Sequence, residues 1–175
     1  TARNLGLTLD GQLSLDVHAR ACFYHLRRIR QIRRYIDENA LKLLVHASIT
    51  SRLDYCNAFF TGCSVSVRQR LQRIQNCAAR MVCSKPIHSR PNGVYHHTTP
   101  LLQRLHWLPV ETRTTYKLSV LMFDVLHGTA PVYLRELCNH RSDNYLRSSS
   151  QGYVTITRTR TRSVDRSFAV AGPVA

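Results

Sequence analysis

Acidic residues are scarce in this sequence: ten Asp and Glu stand against 25 Lys and Arg in 175 residues, for a formal net charge of +15. Asp10, Asp16, Asp37, Asp54, Asp124, Asp143 and Asp165 are scattered singly. Two-metal phosphoryl transfer needs carboxylates in clusters, so that chemistry is excluded. The one adjacent acidic pair, Asp37 and Glu38, has the form of a helix start. Also missing are the GxxxxGK(S/T) loop, the GxSxG elbow, the HExxH helix and the GxGxxG turn. The common signatures of nucleotide hydrolysis, acyl transfer and metalloproteolysis are therefore unsupported. No apolar run approaches the roughly 18 residues of a membrane span, and no charged-then-apolar leader opens the chain. The expectation is a soluble, intracellular protein with no membrane partner.

Paired cysteine is not expected either. The six thiols, at positions 22, 56, 63, 77, 83 and 138, lack the short secreted context that favours disulfides, so free and mostly buried thiols are expected. Only CAARMVCSKPIH brings Cys77 and Cys83 near His88, with His96 and His97 beyond. Zinc ligands stand two to four residues apart on a tight turn, whereas Cys77 and Cys83 fall inside a helical pattern. No metal and no cofactor are expected. His25, His46, His106 and His127 lie on helical segments without a nucleophile or carboxylate partner, which suits structural or solvent-facing roles. The chain reads as non-catalytic.

What is abundant is arginine. FYHLRRIRQIRRYI, residues 23–36, carries Arg27, Arg28, Arg30, Arg33 and Arg34 with no acid among them. So strong a basic excess makes a polyanion the first partner to consider. Hydrophobic residues, at 43%, suffice for a packed core.

The expected fold class is mainly α: a helical bundle with a short N-terminal strand or hairpin and an extended basic tail. Residues 1–16 form the strand and turn, with Leu7 and Leu9 alternating before a reversal at Asp10 and Gly11. Residues 17–83 form a basic helical bundle. Its first helix sets Leu26, Ile29, Ile32 and Ile36 opposite a stripe of Arg27, Arg30 and Arg34, with Arg33 among the apolar positions. Asp37 caps a second helix that ends near Gly62. Ser64 caps a third, with Leu71, Ile74, Ala78, Met81 and Val82 inward and Gln69, Arg73, Asn76 and Arg80 outward. Residues 84–98, rich in Pro and Gly, form an irregular loop. Residues 99–138 are a helical extension: Thr99 and Pro100 start one helix, and Pro109 starts the next. That next helix closes at Gly128, with Leu118, Leu121, Met122, Val125 and Leu126 as its core side, and Pro131 begins a last short helix. Residues 139–175 are a polar basic tail in which YVTITRTRTR alternates, so Arg158, Arg160 and Arg162 are expected on one side of a strand or of a flexible segment.

The strings LGLTLDGQLS, LDYCN, LQRIQNCAARMV, LHWLPV and VLHGTAPVYLREL occur in this order. Together they resemble the C-terminal part of the reading-frame protein of LINE-type, non-LTR retrotransposons. The resemblance implies that LGLTLD is the strand leaving a polymerase palm and that the helices after it form the thumb and its extension, gripping template and primer. It implies nucleic acid (RNA, DNA or a hybrid duplex) and the missing palm and fingers domain as partners, in the nucleus or cytoplasm. The family's catalytic Asp-Asp motif has no match here, so no polymerase residue carries over.

In the thumb reading, Arg27, Arg30, Arg34, Arg73 and Arg80 contact phosphates. Arg28, Lys85, Arg113 and Lys117 are secondary candidates, and Arg158, Arg160 and Arg162 belong to the tail. Tyr24 and Tyr35 are candidates for stacking on bases, while Trp107, set between leucines, belongs to the core. Three alternatives stand beside this: a basic helical module that docks acidic protein, a zinc-dependent nucleic-acid module, and a decayed retrotransposon copy without function.

Overall fold

The computed structural model describes residues 2–4, 7–9, 15–83, 97–138, 154 and 158–174. It is mainly helical and divides into two compact units, 1–57 with 63–110, and 58–62 with 111–175. The division falls at Val110, inside the expected 99–138 extension.

In the first unit, β1 (Ala2–Asn4) and β2 (Leu7–Leu9) pair antiparallel, with Ala2 opposite Leu9 and Asn4 opposite Leu7. The strand paired with Leu7–Leu9 precedes it, so the chain reverses between Asn4 and Leu7. The expected reversal at Asp10 and Gly11 lies outside the described residues.

Helix α1 (Asp16–Ile32) buries Ala19, Cys22, Leu26 and Ile29 and tightens into a 3-10 turn over Arg33–Tyr35. Ile32, expected inside, is exposed, because it lies about 120° round the helix from Leu26, past the edge of the buried stripe. Arg33, seven residues after Leu26, falls among the apolar positions as expected and is half-buried.

Helix α2 (Glu38–Val45) opens on Asp37, whose carboxylate accepts from the Ala40 amide at 3.2 Å, and Glu38 supplies charge to the first turn. The helix runs on through a π-helical stretch, His46–Thr50, into α3 (Ser51–Asp54). Its buried residues, Leu41, Val45, Ile49 and Leu53, recur every four positions. In a uniform α-helix each such step drifts about 40°, so Leu53 would stand roughly 120° away from Leu41. The wider π turn offsets that drift and keeps all four inside.

Helix α4 (Val65–Val82) starts on Ser64, whose hydroxyl accepts from the Val67 amide at 3.4 Å. It buries Val67, Leu71, Ile74, Ala78 and Val82, and packs most extensively on α1. Met81, expected with that stripe, is half-buried. Helix α5 (Thr99–Arg104), with Pro in its first turn, buries Leu101 and Leu102. It ends in a paired motif: the His106 amide donates to the Gln103 carbonyl at 3.0 Å, and the Trp107 amide to the Leu102 carbonyl at 2.8 Å. This termination needs a left-handed residue, and His106 supplies it at φ 55°.

Trp107 is buried, as expected, with the His46 ring edge-on at 5.4 Å. Buried Gln75 donates to the Leu108 carbonyl at 2.7 Å, and Gln72 accepts from the Val110 amide at 2.9 Å. Two amide side chains of α4 thus hold the backbone of 108–110.

The second unit is organised by α6, which spans Val110–Leu126 and lies in this unit from Glu111 on. It ends on Gly128 at φ 73°, with the Thr129 amide donating to the Asp124 carbonyl at 3.0 Å. Thr114, Leu118, Met122 and Val125 are buried, Leu121 is half-buried, and Leu126 is exposed rather than in the core. The cause is angular: Leu126 lies about 100° from Val125 and about 40° from Met122, on the outer edge of the stripe.

Helix α7 (Val132–Glu136) follows Pro131. Met122, Val125, Ala130 and Cys138 form a core cluster against which Leu134, Val154 and Phe168 pack. The helices of the described tail residues were not expected. Residues 158–161 are not strand, Arg162 begins helix α8 (Arg162–Asp165), and α9 (Phe168–Ala171) follows. The Thr159 hydroxyl donates to Asp165, and Phe168 anchors the segment by burying apolar surface. These tertiary interactions override the extended preference of alternating Thr and Arg.

Candidate nucleic-acid interface

Sixteen basic residues and five acidic ones fall in the first unit, against nine and five in the second. The described carboxylates of the first unit are all engaged. Asp16 pairs with Arg70, Asp37 caps α2, and Glu38 pairs with Lys42 at 3.1 Å and Arg104 at 3.8 Å. Asp54 also has an interaction within the protein. What remains is a set of exposed guanidinium groups.

Arg27 and Arg30 on α1 and Arg34 in the 3-10 turn after it are exposed. Arg27 lies away from the buried Cys22, Leu26 and Ile29, and Arg30, about 40° round from Leu26, stands at the edge of that buried face. Arg20 joins them, seven residues before Arg27 and therefore nearly in line with it. Arg20 was missing from the sequence reading, although the spacing of seven was there to be read. Arg28 is exposed too, but it stands about 100° round the helix from Arg27 and about 160° from Arg30, on the opposite flank. Arg34 lies over the exposed ring of Tyr35, 4.7 Å from its centroid. Tyr24 is exposed with His25 edge-on at 5.7 Å.

On α4, Arg73 and Arg80 are seven residues apart and share the face opposite the buried stripe. Arg73 is exposed. Arg80 is half-buried and donates to the Thr98 hydroxyl at 3.0 Å. Asn76, expected on this face, is half-buried and its amide oxygen accepts from Gln72 at 2.8 Å, within the network that holds 108–110.

The two basic faces meet at Cys77. Burial raises its thiol pKa above the ordinary value, while the positive charges of Arg80 and Arg30 oppose that rise. The charges of Arg30 and Arg80 thus bear on one side chain, and α1 and α4 pack on each other. The Asp16–Arg70 ion pair joins the same two helices near their starts. Arg70 is thereby neutralised, while Arg27, Arg30, Arg34 and Arg73 have no carboxylate partner among the described residues. Exposed guanidinium groups without partners offer planar, multidentate donors to phosphate oxygens.

The other candidates fall elsewhere. Lys85 lies outside the described residues. Arg113 is half-buried and engaged within the protein, and Lys117 is exposed; both lie on α6 in the second unit. Arg158 and Arg160 are exposed, and Arg162 starts α8, also in the second unit.

All six thiols are free, with Cys22, Cys63, Cys83 and Cys138 buried. Desolvation pushes the Cys22 pKa up to about 11. Among the described residues no group of His, Cys, Asp and Glu is placed to hold a metal ion, and His88 and His96 lie outside them. Nor, among the described residues, is any helix long and apolar enough to cross a membrane.

Comparison with protein-family models, with curated proteins and with solved structures finds no match to this chain.

Proposed function

We propose that this chain binds nucleic acid by gripping the phosphate backbone with the arginine face of its first unit, as the non-catalytic thumb-like part of a retrotransposon reverse transcriptase. One observation carries the reading. Arg30 of α1 and Arg80 of α4, helices that pack on each other, both bear on Cys77, and Arg27, Arg30, Arg34 and Arg73 have no carboxylate partner among the described residues. In this reading Arg27, Arg30 and Arg34 take one run of phosphates while Arg73 and Arg80 take the adjoining one. Contacts of this kind do not read sequence; they position the backbone and release counterions.

The test is the salt dependence of binding to a labelled duplex. Log affinity falls with log salt at a slope of about 0.9 per phosphate neutralised. The combined Arg27→Ala, Arg30→Ala, Arg34→Ala variant is expected to flatten the slope by roughly two to three. An unchanged slope removes the α1 stripe from the site. Competition by an unrelated duplex at physiological salt separates this reading from docking on acidic protein, which duplex would not reverse.

A companion reading concerns the second unit. Tyr116, Val120 and Phe123 form an exposed stripe on α6, with the Phe123 ring stacked on His127 at 3.8 Å. An apolar stripe outside the core supports a docking face, and the missing palm and fingers domain is the partner that this reading assigns to it.

A further inference from the structure

Where α1 gives way to the 3-10 turn and then to α2, the first unit contains a cleft of about 420 Å³. It lies within the roughly 300–1,000 Å³ of small-molecule sites and has room for one nucleotide unit. Its lining is chemically divided. Arg30 and Arg34 are exposed at the rim, and half-buried Arg33, which is engaged within the protein, also lines the cleft. Leu41 and Val82, both buried, with half-buried Ile36 form an apolar floor. Glu38 is the one acidic residue of the lining, and both of its ion pairs, to Lys42 and Arg104, use the same oxygen, Oε1. The second oxygen, Oε2, has no partner among the described residues.

The three parts of the lining ask different things of a ligand. Two arginines without carboxylate partners suit a phosphate with free oxygens. An apolar floor suits a flat ring system and not a hydrated ion. A carboxylate oxygen needs a donor, which an acyl chain lacks but a ribose hydroxyl or an exocyclic amine supplies. We infer that the cleft is a binding site for a single nucleotide bearing a phosphate monoester. The phosphate sits on Arg30 and Arg34, a sugar hydroxyl or base amine on Glu38, and the base on Ile36, Leu41 and Val82. The inference rests on, and deepens, the reading of the α1 stripe as a nucleic-acid face, since Arg30 and Arg34 belong to both. It adds that the face receives a strand end or a free nucleotide, and not internal phosphates alone.

The experiment measures short single strands of one sequence carrying a 5′ phosphate, a 3′ phosphate or neither, by fluorescence anisotropy on the full chain. One phosphorylated form is expected to bind about tenfold tighter than the unphosphorylated strand, a gap that Glu38→Ala and Ile36→Ala each narrow while leaving binding of the unphosphorylated strand in place. Equal binding of all three strands overturns the end site and leaves the phosphate-gripping face intact. If no strand binds, the gripping face fails and titration with adenosine monophosphate decides the cleft alone. Saturable uptake weakened by both substitutions upholds the site with a free nucleotide as its ligand; no uptake overturns it. Inorganic phosphate binding as tightly as the nucleotide overturns the seat proposed for the base.

Discussion

Arg30 on α1 and Arg80 on α4 both act on the thiol of Cys77, opposing the pKa rise that burial imposes on it. Through that one side chain two helices that begin nearly fifty residues apart in sequence are linked. Neither stripe alone differs from the solvated face of an ordinary surface helix. Their adjacency is what makes a surface wide enough for a run of phosphates.

The border discriminates among arginines that look alike in sequence. Arg73→Ala is expected to flatten the salt slope of duplex binding by about 0.9, whereas Arg28→Ala, on the far flank of α1, is expected to change it by less than about 0.5. Equal effects would mean that the bound strand wraps α1 and does not follow the α1–α4 border.

Gln75 is buried and donates to the Leu108 carbonyl. Gln75→Ala removes that donor and leaves Gln72 short of one acceptor. The expected loss is about 1–3 kcal/mol, seen as a lower urea midpoint with an unchanged slope. A neutral substitution would show that the 108–110 segment is held by packing of Trp107 instead.

His106 occupies a left-handed position at the end of α5 at φ 55°. A residue with a Cβ costs roughly 1–2 kcal/mol there, and glycine avoids this at some entropic cost to the unfolded chain. His106→Gly is therefore expected to stabilise the protein by about 0.5–1 kcal/mol, raising the thermal midpoint. A lower midpoint would assign His106 a packing role.

Stability should depend on pH through His18. Burial lowers its pKa below the ordinary 6.5, opposed by the hydrogen bond to the Arg52 carbonyl and aided by the Arg52 charge. Because the folded state holds the proton less tightly than the unfolded state, this contribution is complete above 6.5 and is lost as pH falls through that value toward the lowered one. His25, lowered in the same direction, adds to it. Between about pH 7.5 and about pH 5.5 the urea midpoint of the wild-type chain should fall, and His18→Gln, which retains a side-chain N–H, should fall less. Parallel curves would exclude His18 as a source.

Local chemistry explains which parts were legible in the sequence. Asp37 and Ser64 were readable as caps, and Gly128 as a terminator, because each has a side chain, or lacks one, in a way that one backbone geometry requires. His106 performs the same task as Gly128 and was missed, since nothing about histidine announces a left-handed residue. Half-buried Arg33 was legible from its place among the apolar positions, whereas exposed Ile32 was not, because apolar character does not say where the edge of the buried stripe falls. In the tail, the alternation of Thr and Arg suited a strand or a flexible segment and did not show that Arg162 starts a helix, close in sequence to Phe168, which packs on the Met122 cluster. For the interface, the stripes of Arg27, Arg30 and Arg34 and of Arg73 and Arg80 were visible as spacings. Their common border at Cys77 is a tertiary fact, as is the loss of Arg70 to Asp16.

The π turn at His46–Thr50 bears on how this chain tolerates changes in length. Twelve positions separate Leu41 from Leu53, and eleven would bring the two within about 20° of each other on an ordinary α-helix. The helix thus carries one spare residue, and dropping it from this stretch would leave both flanks facing as they do now. The same deletion within α4 would swing half of its buried side into water. Insertions and deletions in descendants of this sequence should therefore find a permissive point in the middle of a buried helix, where a reader of loops would not look for one.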